Sequence, residues 1–316
     1  MSDLIPQLVQ QLFNGLSLGA IYALIAIGYT MVYGIIGMIN FAHGDIYMIG
    51  AYIGLVTLSA VGVQSGLPVW AIIALMLVVA VAITGVYGFV VEQVAYKPLR
   101  SSPRLVALIS AIGMSIFLQN WVALGQGARD MAVPSLIPGA LRFGSEGGFE
   151  VYVPYSRILI IAVAVVLMIA LTLYIQHSRM GRASRACSQD MHMANLLGID
   201  TNRVISFTFI LGAMLAAVGG VLIALAVGKL NPFIGFIAGI KAFTAAVLGG
   251  IGNVAGAMLG GLLLGIVESL ASGYIGDLTG GAIGSNYRDI FAFLVLVLVL
   301  VLRPSGLLGY RGGERA

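Results

Sequence analysis

The chain has 316 residues, of which 60% are hydrophobic and only 9% charged, with a mean hydropathy of +1.05. A soluble chain carries about a quarter charged residues, so this composition excludes a water-soluble globular protein and a disordered one. The net charge of +4 bears on membrane orientation rather than on nucleic acid, because Lys and Arg set the side on which a loop lies.

The remaining class is an all-α polytopic transmembrane helical bundle. At about 20 apolar residues per crossing, the length allows roughly eight to ten membrane segments. The apolar runs are continuous and do not alternate in and out as the strands of a membrane barrel do. Gly fills 43 positions, as expected where helices pack closely in lipid. No Lys or Arg precedes the first apolar stretch, so it is expected to be a retained helix rather than a cleaved leader.

Residues 8–37 read either as one long tilted helix or as a short lead-in plus a crossing. The polar break NFAHGD, Asn40 to Asp45, ends this run. A second crossing follows over 46–61, with Asp45 placed to cap it. After a turn at 62–68, the third spans 69–91. The basic stretch AYKPLRSSPR leads to a fourth over 105–124. Residues 125–155, with Pro134, Pro138 and Pro154, form a long polar loop before a fifth crossing at 158–175.

The loop 177–203 is the most polar part of the chain and precedes a sixth crossing at 204–227. Asn231 and Pro232 open a turn, and 238–250 is apolar but short. GGIGN at 249–253 separates it from the span 254–270. A Gly-rich loop at 271–288, a last apolar run at 290–302 and a tail complete one transmembrane domain over 1–316. The loops 94–104 and 177–203 and the tail hold ten of the sixteen basic residues, which places them in the cytoplasm and 125–155 outside. If 238–250 is only re-entrant, the tail faces outside against its arginines. Counted as a crossing, it restores parity and gives nine.

Gly252, Gly256 and Gly260 repeat at spacing four, as do Gly15/Gly19 and Gly50/Gly54. Such runs bare a strip of backbone for close helix approach. They serve packing within the subunit or contact with a partner. Gly256 is expected to tolerate Ala far better than Ile. The charges near membrane depth are His43, Asp45, Glu92, Lys241 and Glu268. With Asn40, three of them (His43, Asp45 and Glu268) are candidates for a polar pathway or interhelical contact. Glu92 is expected at the cytoplasmic edge.

No P-loop, H-E-x-x-H or G-x-S-x-G motif occurs, so no catalytic residue is assigned. The three histidines are too scattered for a metal site, and no cofactor is expected on this chain. Cys187 is the single cysteine. It should be cytoplasmic and open to thiol reagents from that side.

Within 177–203, Met193, Ala194, Leu196 and Leu197 are expected to share the apolar surface of a short helix that Gly198 ends. A solvated loop needs no such face. It docks on this chain's own cytoplasmic ends, on lipid headgroups or on a separate cytoplasmic protein. The candidate surface comprises Arg182, Arg185, Asp190, Met193, Ala194, Leu197, Gly198 and Ile199.

Here GRASRACSQDMHMANLLGI closely resembles the cytoplasmic loop of permeases from bacterial ABC importers for branched-chain amino acids. The A-x-x-x-G element runs from Ala194 to Gly198; the usual acidic residue two places before it is replaced by His192. The segments GLSLGAIYALIAIGYTMVYGIIGMINFAHGDIYMIGAY and NPFIGFIAGIKAFTAAVLGGIGNVAGAMLGGLLLGIVE agree. The resemblance covers about 12–309 and is nearest the H-type permeases of the high-affinity leucine/isoleucine/valine system.

The resemblance implies a multi-pass protein of the bacterial inner membrane working by alternating access. Its partners would be a second homologous permease, two cytoplasmic ATPase subunits that use the ATP, a periplasmic substrate-binding protein and membrane lipid, with no nucleic acid. The 186–200 helix would couple to an ATPase. No residue distinguishes leucine from another amino acid, urea or a small amide. A self-sufficient secondary transporter or channel would need a midplane ion or proton site, and the shortage of intramembrane acids argues against it. A non-transporting scaffold is a third reading.

Overall fold

The computed structural model describes residues 4–62, 65–100, 102–143, 149–280 and 287–309. Arg311, Arg315 and part of the expected 271–288 loop lie outside the described residues. The order is α1 (Leu4–Ile36), α2 (His43–Val61), α3 (Val69–Val91), α4 (Arg104–Gln126), β1 (Met131–Ala132), β2 (Ala140–Phe143), β3 (Val151–Pro154), α5 (Tyr155–His177), α6 (Arg179–Gln189) and α7 (Met191–Leu196). It continues through α8 (Thr201–Val227), β4 (Lys229–Leu230), α9 (Ile234–Gly249), α10 (Val254–Leu278) and α11 (Arg288–Leu302). In lipid every backbone donor and acceptor must be satisfied within the protein, and helices do this locally.

Seven helices are long and apolar enough to cross a membrane, and α9 and α11 are shorter apolar helices. The 33 residues of α1 form one uninterrupted helix. At its 16 residues, α9 reaches roughly 24 Å, short of a hydrocarbon core of about 30 Å. Its two ends nevertheless meet different parts of the chain. β4 before it pairs with β1 of the 125–155 loop, Met131 opposite Leu230. The turn after it meets the chain's C-terminal segment, where the Leu307 and Leu308 amides donate to the Leu248 and Gly249 carbonyls at 2.9 Å each. One end of the bundle thus gathers 92–100, 177–203, 249–253 and 303–309. The other gathers 125–155 with the start of α1, where Gln10 bonds both ways to the Tyr152 backbone.

Three departures from the expected boundaries bear on the candidate residues or the packing. α2 begins at His43, so Asp45 lies inside its first turn and Ala42 is the N-cap, with no side-chain cap. The segment 186–200 is not one helix. Asp190 is extended, at φ −155° and ψ 105°, and divides α6 from α7. α10 continues to Leu278, and it stays packed on α1 beyond residue 270: a Cβ on Gly273 would stand 2.5 Å from Gln11 Cδ.

The centre is α1, which touches α5, α8, α9 and α10. Small residues make that possible. A Cβ on Gly19 would stand 2.8 Å from Leu262 Cα, and one on Gly15 2.7 Å from Ile266 Cα. The expected strip of Gly252, Gly256 and Gly260 does not form one surface. Gly252 belongs to the turn before α10, at φ +92°. Gly256 and Gly260 press on the α9 carbonyls of Gly249 and Ala245, so even a methyl at Gly256 collides with backbone. Any side chain at Gly256, Ala included, would therefore have to displace the Gly249 backbone. Gly261 and Gly265, the next face round, pack on α1 at Ala23 and Gly19. Gly50 and Gly54 of α2 pack on α8 at Ala217 and Val221. Helices α3, α4, α5 and α11 form the rim and expose large apolar side chains such as Val78, Leu124, Val166 and Val301.

Cys187 is buried against the core, and burial pushes its thiol pKa up. Since the thiolate is the nucleophile, the expectation of easy labelling is corrected. In a Cys187→Ser background, exposed Gln189→Cys should react with a membrane-impermeant maleimide only in inside-out vesicles, and exposed Glu150→Cys only in spheroplasts. The reverse pattern would invert the topology.

Gly19→Ala should lower the melting temperature in detergent, at a cost of about 1–3 kcal/mol from overpacking. Gly113→Ala should be neutral or slightly stabilising, because no atom lies within 4 Å of a Cβ on this exposed α4 glycine and Ala is the better helix former. Equal melting temperatures for the two variants would contradict the α1–α10 contact.

Candidate functional site

Local chemistry shapes segment 177–203. Ser178 caps α6, its Oγ accepting from the Gly181 amide at 2.8 Å. Arg182 donates to the His177 carbonyl at 2.9 Å, and Arg185 to the Ile175 and Gln176 carbonyls. These are the last carbonyls of α5, which lack partners in their own helix. Two cations there also suit the helix dipole. Arg182 and Arg185 thus each bond back to their own chain.

Asp190 caps α7 by accepting from the Met193 amide at 2.9 Å. The helix ends at Gly198, φ +84°, with the Ile199 amide on the Ala194 carbonyl at 3.1 Å and the Gly198 amide on the Asn195 carbonyl at 3.0 Å. This is a Schellman ending, which favours glycine in the left-handed conformation. Asp200 then caps α8 through the Arg203 amide at 3.2 Å. The apolar residues of α7 divide between two directions. Ala194 is 2% exposed and belongs to the core, where Ile199 also packs. Met193, Leu196 and Leu197 are 51%, 69% and 75% exposed. Ala194 therefore does not share the outward face expected for it. It lies on the flank where α7 meets α6 and α8. The outward stripe is 193, 196 and 197, at helical spacing.

The buried polar candidates occupy separate settings. Glu268, 1% exposed, accepts from Lys241 Nζ at 2.6 Å through Oε1 and from Tyr22 OH at 2.9 Å through Oε2. Lys241 also lies 2.8 Å from Asp289 Oδ1. This group ties α1, α9, α10 and α11 together. Asn40 Oδ1 accepts from Tyr96 OH at 2.7 Å. His43 meets Tyr29 edge to face at 4.9 Å. Asp45 Oδ1 accepts from Gln119 Nε2 of α4 at 3.0 Å, which replaces the capping role expected of it. Glu92 is fully buried and paired with Arg100. Among the described residues no group of three or more His, Cys, Asp or Glu is placed to hold a metal ion.

Sequence reading did not assign roles to Tyr22, Arg100, Gln119 or Asp289. Only Arg100 left a signal, as a cation eight residues after a membrane-edge acid. The other partners are far apart in the chain, and no spacing rule joins them.

Lys241→Met leaves two carboxylates without their cation, and breaking a buried pair costs roughly 3–5 kcal/mol. Its melting temperature in detergent should fall well below the parent's. Lys241→Met/Glu268→Gln should recover part of the loss, because the buried charge is removed with its partner. An unchanged melting temperature in Lys241→Met would show that the ion group holds nothing together.

Comparison with known proteins places this architecture. Residues 11–300 match the family described as branched-chain amino acid transport system / permease component. The chain is 52% identical over 312 residues, 98% of each chain, to the high-affinity branched-chain amino acid transport system permease protein LivH of Escherichia coli K12. It is 52% identical over 301 residues, 95% of each chain, to the corresponding permease protein BraD of Pseudomonas aeruginosa. It is also 26% identical to the permease protein LivM of the same high-affinity system of Escherichia coli, covering 92% of this chain and 68% of LivM. The chain therefore belongs to the permease-component family of branched-chain amino acid transport systems, as a multi-pass helical protein of the inner membrane.

Proposed function

We propose that this chain is one of two homologous permease subunits of an ATP-driven importer that carries branched-chain amino acids inward by alternating access. Likeness both to LivH at 52% and to LivM at 26% identity supports a pair of related permeases. A periplasmic binding protein delivers the substrate, and two cytoplasmic ATPase subunits supply the ATP hydrolysis. This chain, acting as one permease domain over 1–316, binds no cofactor itself.

The observation that carries the reading is the outward apolar stripe Met193, Leu196 and Leu197 on a capped two-helix unit at the basic end of the bundle. Three large apolar side chains held in water are stabilised by docking into a groove. In this reading the groove belongs to an ATPase subunit. Closure of the ATPases displaces α6–α7, and α8, which starts four residues after Leu197, carries the displacement into the membrane. Membrane lipid covers the rim helices.

Reconstitution with the second permease, the ATPases and the binding protein should give leucine uptake that requires ATP hydrolysis. Uptake by the chain alone would favour a secondary transporter. Leu196→Asp/Leu197→Asp should insert at normal abundance and lose co-purification with the ATPases. Ala194→Glu, by contrast, should reduce abundance, since it places a charge in the core. Normal ATPase binding and uptake in the Leu196→Asp/Leu197→Asp variant would remove the coupling role.

A further inference from the structure

Glu92 is not merely a membrane-edge acid. After Val91 the α3 helix widens into a π turn, Glu92–Tyr96, followed by a 3-10 turn, Lys97–Leu99. Single π turns inside helices gather at functional positions. Here the turn carries a polar cluster that no water reaches at the carboxylate, since Glu92 is 0% exposed. Arg100 donates one guanidinium nitrogen to Glu92 Oε1 and the other to Asn202 Oδ1. Ser206 Oγ donates to Glu92 Oε2 at 2.8 Å. Gln93 Nε2 lies 2.6 Å from the same oxygen and 3.2 Å from Ser206 Oγ.

Asn202 and Ser206 are one turn apart at the start of α8, directly after the Asp200 cap. The cluster therefore joins the end of α3 to the turns of α8 nearest the coupling segment, directly through Ser206 and through Arg100 to Asn202. Apolar packing continues the contact upward. Tyr96 meets the Phe209 ring at 5.1 Å, and a Cβ on Gly88 would stand 3.0 Å from the Phe209 carbonyl oxygen. Apolar contacts alone hold two helices together but let them slide. A carboxylate held by Arg100 and Gln93 on the α3 side and by Ser206 on α8, with Arg100 also bonded to Asn202 of α8, sets their register. A buried ion pair is seldom more stabilising than an apolar pair of the same size, so geometry is the better account of this one.

We propose that Glu92 and Arg100 are positioning residues that lock α3 and α8 into one rigid unit, so that displacement of α6–α7 moves both helices together. This rests on the coupling role proposed above. It enlarges the moving part from one helix to two, with the π turn as the joint that lets α3 bend where it is gripped.

The test uses the fully reconstituted importer. Glu92→Gln/Arg100→Gln removes both charges at once and leaves neither buried alone. We expect leucine imported per ATP hydrolysed to fall about fivefold or more, with ATP hydrolysis itself changed by less than about twofold, as for loss of a coupling free energy between sites. An unchanged ratio in the assembled complex overturns the proposal. The second measurement is a disulfide between Gln93→Cys and Ser206→Cys in the Cys187→Ser background. If the helices move as one body, oxidation leaves uptake at or above the level of the reduced Gln93→Cys/Ser206→Cys variant. If oxidation stops uptake and reduction restores it, the helices slide past each other and the proposal fails. Should the double charge variant not assemble, the cross-link alone decides. Failure of the coupling role itself reads out differently, because Leu196→Asp/Leu197→Asp would then also bind the ATPases and transport normally.

Discussion

The structure depends on the close approach of α1 and α10. In lipid there is little hydrophobic force between helices, because the acyl chains are as apolar as the side chains. Contact between backbones, with its dense dispersion attraction, has to hold the bundle. Gly15 and Gly19 on α1 face Leu262, Gly265 and Ile266 on α10 with no room for a Cβ. Once α1 is seated there, it becomes the axis on which α5, α8 and α9 pack. The place of Glu268 opposite Tyr22 follows from that contact.

Polar groups form two separate sets in the bundle. The Lys241, Glu268, Asp289 and Tyr22 group joins four helices well away from the 177–203 segment. Partners this well placed resist rearrangement, because any separation strands a charge in a low-dielectric interior. At the basic end the bonds connect neighbours instead. Arg182 and Arg185 tie α6 to α5, Asp200 caps α8, and Glu92 with Arg100 ties α8 to α3. A force applied at α7 has a bonded route into three membrane helices.

The amino-acid sequence by itself determined the class and where most of the apolar helices lie. Each of these rests on composition or on the length of apolar runs, which lipid enforces without reference to neighbouring helices. It also located the 177–203 segment and its Gly198 ending, because caps and Schellman turns are local chemistry.

Only the tertiary structure decided which face each residue presents. Ala194 and Leu197 look equivalent in a short apolar stretch, yet one is buried and the other open. Gly256 looks like the centre of a glycine strip, yet Gly252 is in a turn and Gly261 and Gly265 make the contact with α1. Asp45 looks like a cap, yet its oxygen is held by Gln119, seventy-four residues away. The reason is common to all three. Partners separated by dozens of residues are chosen by how helices rotate and slide against one another, and that choice is fixed by backbone contacts for which sequence spacing gives no rule.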